Sequence, residues 1–233
     1  MFIELVDALR CPRTHEESWL VLAASRLEYR HVRDGTLGCP VCHAEYPIRD
    51  GIVDLRLPDA PGESADPSTT LGMTATTVGM TASALGTTGA TDRVSAEQLA
   101  ALLDLGDALG FAVLVGAWTG LAERLLAGLD NPPPLVLVDP LAEVEMSPGL
   151  SGIRAGATLP LAAGAARAIA VDTVDDTRLA DAARVTRAGG RMVAPGSARV
   201  PDGVRELVRN ESLWVGEREA PPAPLVRLHV RRA

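Results

Sequence analysis

The sequence predicts an α/β protein: a small N-terminal α+β module resembling a zinc ribbon, and a Rossmann-like domain with a mostly parallel sheet. All three cysteines and three of the four histidines fall within residues 1–58. Residues 59–93 are rich in Gly, Thr, Ser, Ala and Pro, which is typical of a flexible low-complexity linker. Residues 94–233 alternate apolar strands with helices, the pattern of an open sheet covered by helices on both faces.

The first half of the larger domain has clear start and stop signals. Ser95 is a good N-cap and Gly110 a good end for the first helix. The apolar runs "FAVLVGA" and "PLVLVDP" are typical of buried strands, with an amphipathic helix between them. The predicted elements are a helix over 94–110, a strand over 111–117, a helix over 119–129 and a strand over 134–140.

The second half continues the alternation and closes with strands. The segment between Pro140 and Ile153 holds too many Gly and Pro residues for a full crossover helix, so we expect one wall of the cleft to be thin. The last two strands, joined by "APPA", predict an antiparallel hairpin at the sheet edge. The predicted elements are strands over 151–157 and 166–172, a helix over 176–190 ending at its Gly pair, a strand over 191–196, a helix over 201–210, and strands over 212–219 and 224–233.

Composition excludes several classes of protein. The 22 basic residues, all Arg, face 30 acidic ones, and a net charge of -8 argues against a general nucleic-acid binder. No apolar run reaches the roughly 18 residues of a transmembrane helix, and the N-terminus has neither the basic leader nor the apolar core of a signal peptide. Three cysteines fit poorly with a disulfide framework, so we expect a cytoplasmic protein.

Two cysteine turns, "CPRTH" and "CPVC", lie about 25 residues apart. Paired turns of this kind predict a zinc ribbon, in which each turn supplies two thiolates to a tetrahedral ion. Thr14 stands where the first turn needs its second cysteine, and the adjacent His15 is the candidate replacement. The alternatives are that His15 is a solvated turn residue, that His43 takes its place, or that the thiols bind no metal and pack as small apolar groups. The predicted metal ligands are Cys11, His15, Cys39 and Cys42.

The N-terminal module resembles the Trm-type family of small methyltransferase-activator zinc-ribbon proteins. The resemblance runs through residues 5–12 ("LVDALRCP") and 37–55, and "YPIRDGI" at 46–52 is its most specific part. It implies a small sheet with a helix, and members with an incomplete cysteine set are among those that keep this fold. It also implies a module that binds a methyltransferase and covers its apolar surface.

The stretch "VLVGAWTGLAERLL" combines a strand, a glycine turn and a helix, and so predicts a ligand-binding loop. Free backbone N–H groups at such a turn favour anions and nucleotides. Asp139 ends the next strand about twenty residues later, where an acidic side chain can bind ribose hydroxyls.

Most of residues 95–233 resembles the class I S-adenosylmethionine-dependent methyltransferases. The resemblance rests on "VLVGAWTG", "LVLVDP", "RAGATLPLAAGAARAIAVD" and "LADAARVTRAGGRMVAPG". It implies S-adenosylmethionine as cofactor, with Asp172 facing the substrate at the end of the fourth strand. The cofactor-binding positions that it implies are Gly116, Trp118, Gly120, Asp139 and Asp172.

The departures from this family fall on the cofactor positions. Val115 stands where an acid is usual, Ala155 replaces the adenine-side acid, and Arg167 replaces another commonly acidic residue. Trp118 takes the place of the central glycine, where the backbone must approach the cofactor. An indole that points outward leaves the pocket open, whereas one that points inward fills it and stabilises the ligand-free domain.

These patterns predict a methyltransferase-like protein with a degenerate cofactor loop. We expect a non-catalytic or weakly active interaction or scaffold protein. The alternative is an active S-adenosylmethionine-dependent methyltransferase stabilised in cis by its activator-like module. No catalytic residue or substrate is indicated by the sequence, and the expected partner is a protein or a second copy of the chain, with no membrane association.

Overall fold

The computed structural model describes residues 1–56, 93–106, 109–140 and 144–220. The strands in this part of the chain are β1 Val21–Glu28, β2 His31–Gly38, β3 Glu45–Arg49, β4 Ile52–Asp54, β5 Ala112–Val115, β6 Leu135–Val138, β7 Leu150–Arg154, β8 Ala166–Ala170, β9 Thr186–Pro195, β10 Val204–Arg209 and β11 Leu213–Arg218. The α-helices are α1 Ala96–Leu102, α2 Ala122–Gly128 and α3 Asp176–Val185, and 3-10 helices span Ile3–Ala8 and Gly116–Leu121.

All eleven strands belong to one sheet, in the order β1-β2-β3-β4-β7-β6-β5-β8-β9-β11-β10. The six central strands in this order, which begin at β4 and end at β9, pair in parallel. Antiparallel pairs flank them on both sides, with β1 to β4 at one end and β9, β11 and β10 at the other. The predicted α/β class is confirmed. The whole sheet has five parallel and five antiparallel pairs, and within residues 94–233 four of the six pairs are parallel, which agrees with the mostly parallel sheet predicted there.

Helices cover both faces of the central strands. Every residue of β5 and β6 is buried, as expected for parallel strands between two layers. Along β5, Val113 and Val115 belong to one apolar cluster, which also contains the buried face of α3. Ala112 and Leu114 belong to the opposite cluster, with α1 and α2. The alternation of side chains along a strand therefore produces two cores on either side of the sheet.

The strands of the N-terminal module join directly to those of the larger domain. β4 pairs in parallel with β7, with Ile52 opposite Gly152. A Cβ at Gly152 would lie only 2.7 Å from Cγ1 of Ile52, so the close approach requires glycine. Two polar contacts reinforce the junction: Phe2 N–H donates to the buried Ser151 hydroxyl at 2.9 Å, and Gly149 N–H donates to Nε2 of His31 at 3.1 Å.

The predicted domain limits stay predictions. The boundary at residue 58 and the linker over 59–93 lie outside the described residues, apart from Arg93. The predicted strand over 224–233 lies outside them as well. What the structure adds is that residues 1–56 and the larger domain contribute strands to the same sheet.

The segment predicted as a helix over 201–210 is strand β10, so that prediction is wrong. It forms an antiparallel hairpin with β11, which also pairs with β9. The Asn210 side chain accepts hydrogen bonds from the N–H groups of Ser212 and Leu213 at 2.8 and 2.9 Å and so closes a turn between the strands. β10 and β11 therefore form an antiparallel hairpin that was not predicted, and the predicted hairpin of the last two strands stays a prediction because residues 224–233 lie outside the described chain.

Two predicted helices end earlier than expected. α3 ends at Val185 rather than at the glycine pair, because Thr186 begins β9. Gly190 lies inside that strand, where a Cβ would be 2.4 Å from the carbonyl oxygen of Arg167 on β8. Ser95 caps α1 as predicted, and its hydroxyl accepts from Gln98 N–H, but the helix ends at Leu102 instead of Gly110.

Within the described ranges, no helix has the length and apolar character needed to cross a bilayer.

Candidate functional site

The four predicted metal ligands lie together. Cys39 and Cys42 occupy the turn between β2 and β3, and Cys11 and His15 lie in the loop after the first 3-10 helix. Their ligand atoms all lie within 4.8 Å of one another. Cys39 is buried and the other three are partly buried, so the cluster is largely screened from solvent.

The spacing of these atoms fits one tetrahedral zinc ion. Thiolates each about 2.3 Å from zinc lie roughly 3.8 Å apart in a tetrahedron, and a thiolate–imidazole edge is slightly shorter. The Sγ atoms of Cys11 and Cys42 are 3.7 Å apart. Nε2 of His15 lies 3.2 Å from Sγ of Cys11 and 3.5 Å from Sγ of Cys39. The three edges therefore match a Cys₃His centre.

The orientation of His15 suits a metal ligand. Its Nδ1 lies 2.5 Å from the carbonyl oxygen of Glu16, and only a protonated Nδ1 can donate to that carbonyl. Nε2 then carries the lone pair and faces the thiols, an arrangement in which the carbonyl bonded to Nδ1 fixes the ring of a ligating imidazole. His43, the alternative ligand, is exposed, and its ring is absent from the cluster found among the described residues.

The electrostatics of the cluster favour a thiolate at Cys39. Burial raises the pKa of the Cys39 thiol, but hydrogen bonds from the N–H groups of Cys42 and Val41 and from the neighbouring thiols outweigh it and bring the pKa to about 6. Burial raises the pKa of Cys11, and burial together with the 3.3 Å contact to Cys11 raises the pKa of Tyr46. Tyr46 therefore stays a neutral hydroxyl that can donate to the sulfur of Cys11.

The predicted cofactor positions lie at the carboxyl ends of three neighbouring parallel strands. Gly116 follows β5, Asp139 follows β6 and Asp172 lies two residues beyond the end of β8. Since β5 lies between β6 and β8, the three residues share one edge of the sheet. Ligands of open α/β sheets bind at this edge.

At this edge the glycine loop is bonded to Asp172. Ala117 N–H donates to Oδ2 of Asp172 at 2.6 Å. Gly116 has a left-handed φ of 61°, and a Cβ there would lie 2.3 Å from Oδ2 of the same carboxylate. Gly116 is therefore required by the close approach of Asp172, whether or not a ligand is present.

Asp139 is also held by its own chain. Oδ1 accepts from Ala155 N–H at 2.7 Å, and Oδ2 accepts from a guanidinium N–H of Arg178 at 2.9 Å. Asp139 itself has a left-handed φ of 51°, a conformation that Asp tolerates better than most residues. Each carboxylate oxygen of Asp139 thus already accepts one hydrogen bond from the chain itself.

The Trp118 side chain points inward. It is fully buried in the apolar cluster under α1 and α2, and its indole Nε1 has no hydrogen-bond partner among the described residues. Gly120, by contrast, is exposed, and a Cβ there would meet nothing within 4 Å. Position 118, where the resemblance requires a glycine, is therefore filled by a core side chain.

Three further residues bear on the interpretation of the two sites. Arg167 lies near the start of β8, at the opposite edge from Asp139, and its guanidinium donates to the carbonyl oxygen of Asp104. Its charge therefore does not bear on the cofactor edge. Arg178 and Tyr46, which do contact site residues, were missed by sequence reasoning, since Arg178 lies 39 positions from Asp139 and Tyr46 lies 35 from Cys11.

Comparison with known proteins places the N-terminal segment in a family. Residues 3–51 match the Trm112p-like protein family, which agrees with the resemblance found in the sequence over that segment. A comparison with curated proteins found no match. Among solved structures, the chain is similar to the antibiotic-resistance methyltransferase Kmr, at 18% sequence identity and a TM-score of 0.36, over 55% of this chain and 94% of that one. A likeness at this level carries no argument about activity.

Proposed function

We propose that this protein is a methyltransferase-like scaffold that does not bind S-adenosylmethionine in its resting form. The observation that carries the proposal is the inward position of Trp118, fully buried where the resemblance to class I methyltransferases requires a bare backbone. The bond from Ala117 N–H to Asp172 supports it, because the loop amide that a ligand would need already has an acceptor.

S-adenosylmethionine fits the carboxyl edge poorly in this arrangement. The glycine loop is bonded to Asp172, Asp139 is paired with Arg178, and the volume at Trp118 is filled by an indole. A ligand would have to compete with these contacts for the same polar groups. We therefore derive no transfer step through this cofactor.

Calorimetric titration tests the proposal directly. We expect no heat and no thermal shift when the full-length protein meets S-adenosylmethionine or S-adenosylhomocysteine at about 1 mM, a concentration that reveals free energies of binding beyond roughly -4 kcal/mol. Micromolar binding to the wild-type protein, weakened by Asp139→Ala, would refute the scaffold proposal.

An active methyltransferase is the second candidate. It is favoured by the grouping of Gly116, Asp139 and Asp172 at the carboxyl ends of β5, β6 and β8, with Gly116 in the left-handed conformation of a tight glycine turn. The same titration decides between the two candidates, because the enzyme needs the cofactor to bind and the scaffold does not.

For the N-terminal segment we propose a structural zinc ion bound by Cys11, His15, Cys39 and Cys42. The distances between the ligand atoms and the orientation of His15 support a closed tetrahedral centre of the structural kind. Zinc there would hold the loop of Cys11 and His15 to the turn of Cys39 and Cys42. Elemental analysis of protein purified without chelator should give one zinc per chain, and a metal-free protein with native stability would contradict the proposal.

The N-terminal segment itself acts as the protein partner of the larger domain, within the same chain. The Trm112p-like match covers residues 3–51, and the strand that follows, β4, pairs with β7. The pairing continues the sheet past β7, and buried residues of the segment such as Leu5 and Tyr46 belong to the same apolar cluster as Ile153. We propose that covering this edge is the role of the segment.

A further inference from the structure

The Asp139–Arg178 contact crosses the carboxyl edge of the sheet. Arg178 lies in the first turn of α3, which follows β8, whereas Asp139 follows β6. β5 lies between those two strands. The ion pair therefore spans the strand whose carboxyl end carries the glycine loop.

The guanidinium is fixed by more than the carboxylate. Nη2 of Arg178 donates to Asp139, and Nη1 donates to the carbonyl oxygen of Gly156 at 2.6 Å. The backbone N–H of Arg178 donates to the N-cap Asp175 at 2.7 Å, which anchors the start of the helix. The Arg178 side chain is only 12% exposed, compared with 38% for Asp139, so the arginine is the more deeply placed partner.

At Oδ2 of Asp139, Arg178 takes the place of one hydrogen-bond donor that a nucleoside would supply. A ribose presents vicinal hydroxyls that donate hydrogen bonds to an acidic residue at this strand end. Arg178 offers an N–H donor to the same carboxylate, and its positive charge makes the bond stronger than a hydroxyl would. A ligand diol has to compete with the guanidinium for Oδ2 of Asp139, and a diol that displaces it leaves the arginine without its charged partner.

The geometry points to Arg178 as a side chain that occupies the place of a ligand diol at Asp139. The Arg178–Asp139 ion pair, here called the clasp, closes a nucleoside ribose site. The inference rests on the proposed function, since it explains why the wild-type edge would not take a cofactor. Trp118 belongs to the apolar cluster on the other side of the sheet from α3, and we treat it as a separate obstacle to S-adenosylmethionine. Opening the clasp alone should therefore admit a nucleoside without a methionine chain sooner than S-adenosylmethionine.

The test is calorimetric titration of adenosine into full-length wild-type protein and into Arg178→Ala and Arg178→Gln, each checked for folding by circular dichroism. We expect both variants to bind adenosine at least about tenfold more tightly than the wild type, equivalent to roughly 1.4 kcal/mol. Arg178→Lys should stay near the wild type, because it keeps a cation beside Asp139. Adding Asp139→Asn to Arg178→Ala should abolish the gain.

Ligand controls separate a diol site from a general apolar site. 2′,3′-Dideoxyadenosine, which lacks both hydroxyls, should not bind Arg178→Ala. Equal binding of adenosine and its dideoxy analogue, or folded Arg178 variants that bind adenosine no better than the wild type, would overturn the clasp. That outcome leaves the scaffold proposal standing. The scaffold proposal fails only if the wild-type protein itself binds S-adenosylmethionine.

Discussion

At the scale of single residues, the cysteine–histidine cluster includes a histidine that stands beside the place of a missing cysteine. His15 follows Thr14, which occupies the usual cysteine position, and its ring still reaches the sulfurs of Cys11 and Cys39. The replacement reaches the cluster from the next position in the chain because an imidazole side chain is longer than a thiol side chain. One substitution in the turn is therefore compensated by its neighbour.

His15→Ala should weaken zinc binding because it removes a direct ligand. The loss should be at least the roughly 10–100-fold that follows removal of a residue that only hydrogen-bonds to a ligand. Competition with a chromophoric chelator measures the change. His43→Asn is the matched control, since His43 lies outside the cluster and Asn tolerates its left-handed φ of 55°. If the control lost zinc and His15→Ala kept it, His43 would be the ligand.

At the scale of elements, the turn between β1 and β2 has an unfavourable sequence. Its two residues, Tyr29 and Arg30, have φ values of 46° and 68°, a conformation for which two-residue hairpins normally use Asn-Gly. Tyr29 is 97% exposed, so its side chain gains no burial in return.

The double variant Tyr29→Asn/Arg30→Gly should raise the free energy of unfolding by about 1 kcal/mol, since residues other than glycine lose roughly 1–2 kcal/mol each in this conformation. The exposed ion pair of Arg30 with Glu4 is lost, but such pairs contribute little. Urea denaturation measures the change. Tyr29→Ala should give no gain, and an equal gain there would mean that the turn is not strained.

The β4–β7 junction depends on the glycine opposite Ile52. Gly152→Ala should lower the free energy of unfolding by about 1–3 kcal/mol, because its Cβ would overlap Cγ1 of Ile52. Ile52→Ala removes that atom, so the double variant should be less destabilised than the sum of the two single variants. A double-mutant cycle by urea denaturation measures the coupling, and strict additivity would contradict the close packing.

Much of this element order could be predicted, and the failures have local causes. The uniformly apolar "AVLV" and "LVLV" gave buried strands, and Ser95 gave a correct cap. β10 was missed because "VRELVR" has the spacing of a helix, while the Asn210 turn and pairing with β11 decide for a strand. The cysteine cluster was predictable from turn spacing, whereas the Arg178 contact depends on how the start of α3 approaches the residue after β6 in the folded chain.

At the scale of the whole molecule, one sheet links the Trm112p-like segment to the larger domain. Because β4 and β7 share backbone hydrogen bonds, unfolding of the segment would expose the β7 edge. Buried residues from both parts also belong to one apolar cluster, for example Leu37 and Val136. We therefore expect both parts to unfold together.

Native-state hydrogen exchange should give the same opening free energy for central amides of β2 and β6, because both open only in global unfolding. Removing zinc with a chelator should lower both values equally, since a metal that binds only the folded state stabilises the whole cooperative unit. Independent exchange, with β2 opening far more easily than β6, would indicate two separate folding units.

The irregular pairing of the outermost described strands has a consequence for self-association. β1 shifts register near Arg26, and β10 shifts between Glu206 and Val208. Bulges and charges of this kind prevent a further strand from adding in register. Concentrated protein should therefore resist growth into fibrils from these two strands.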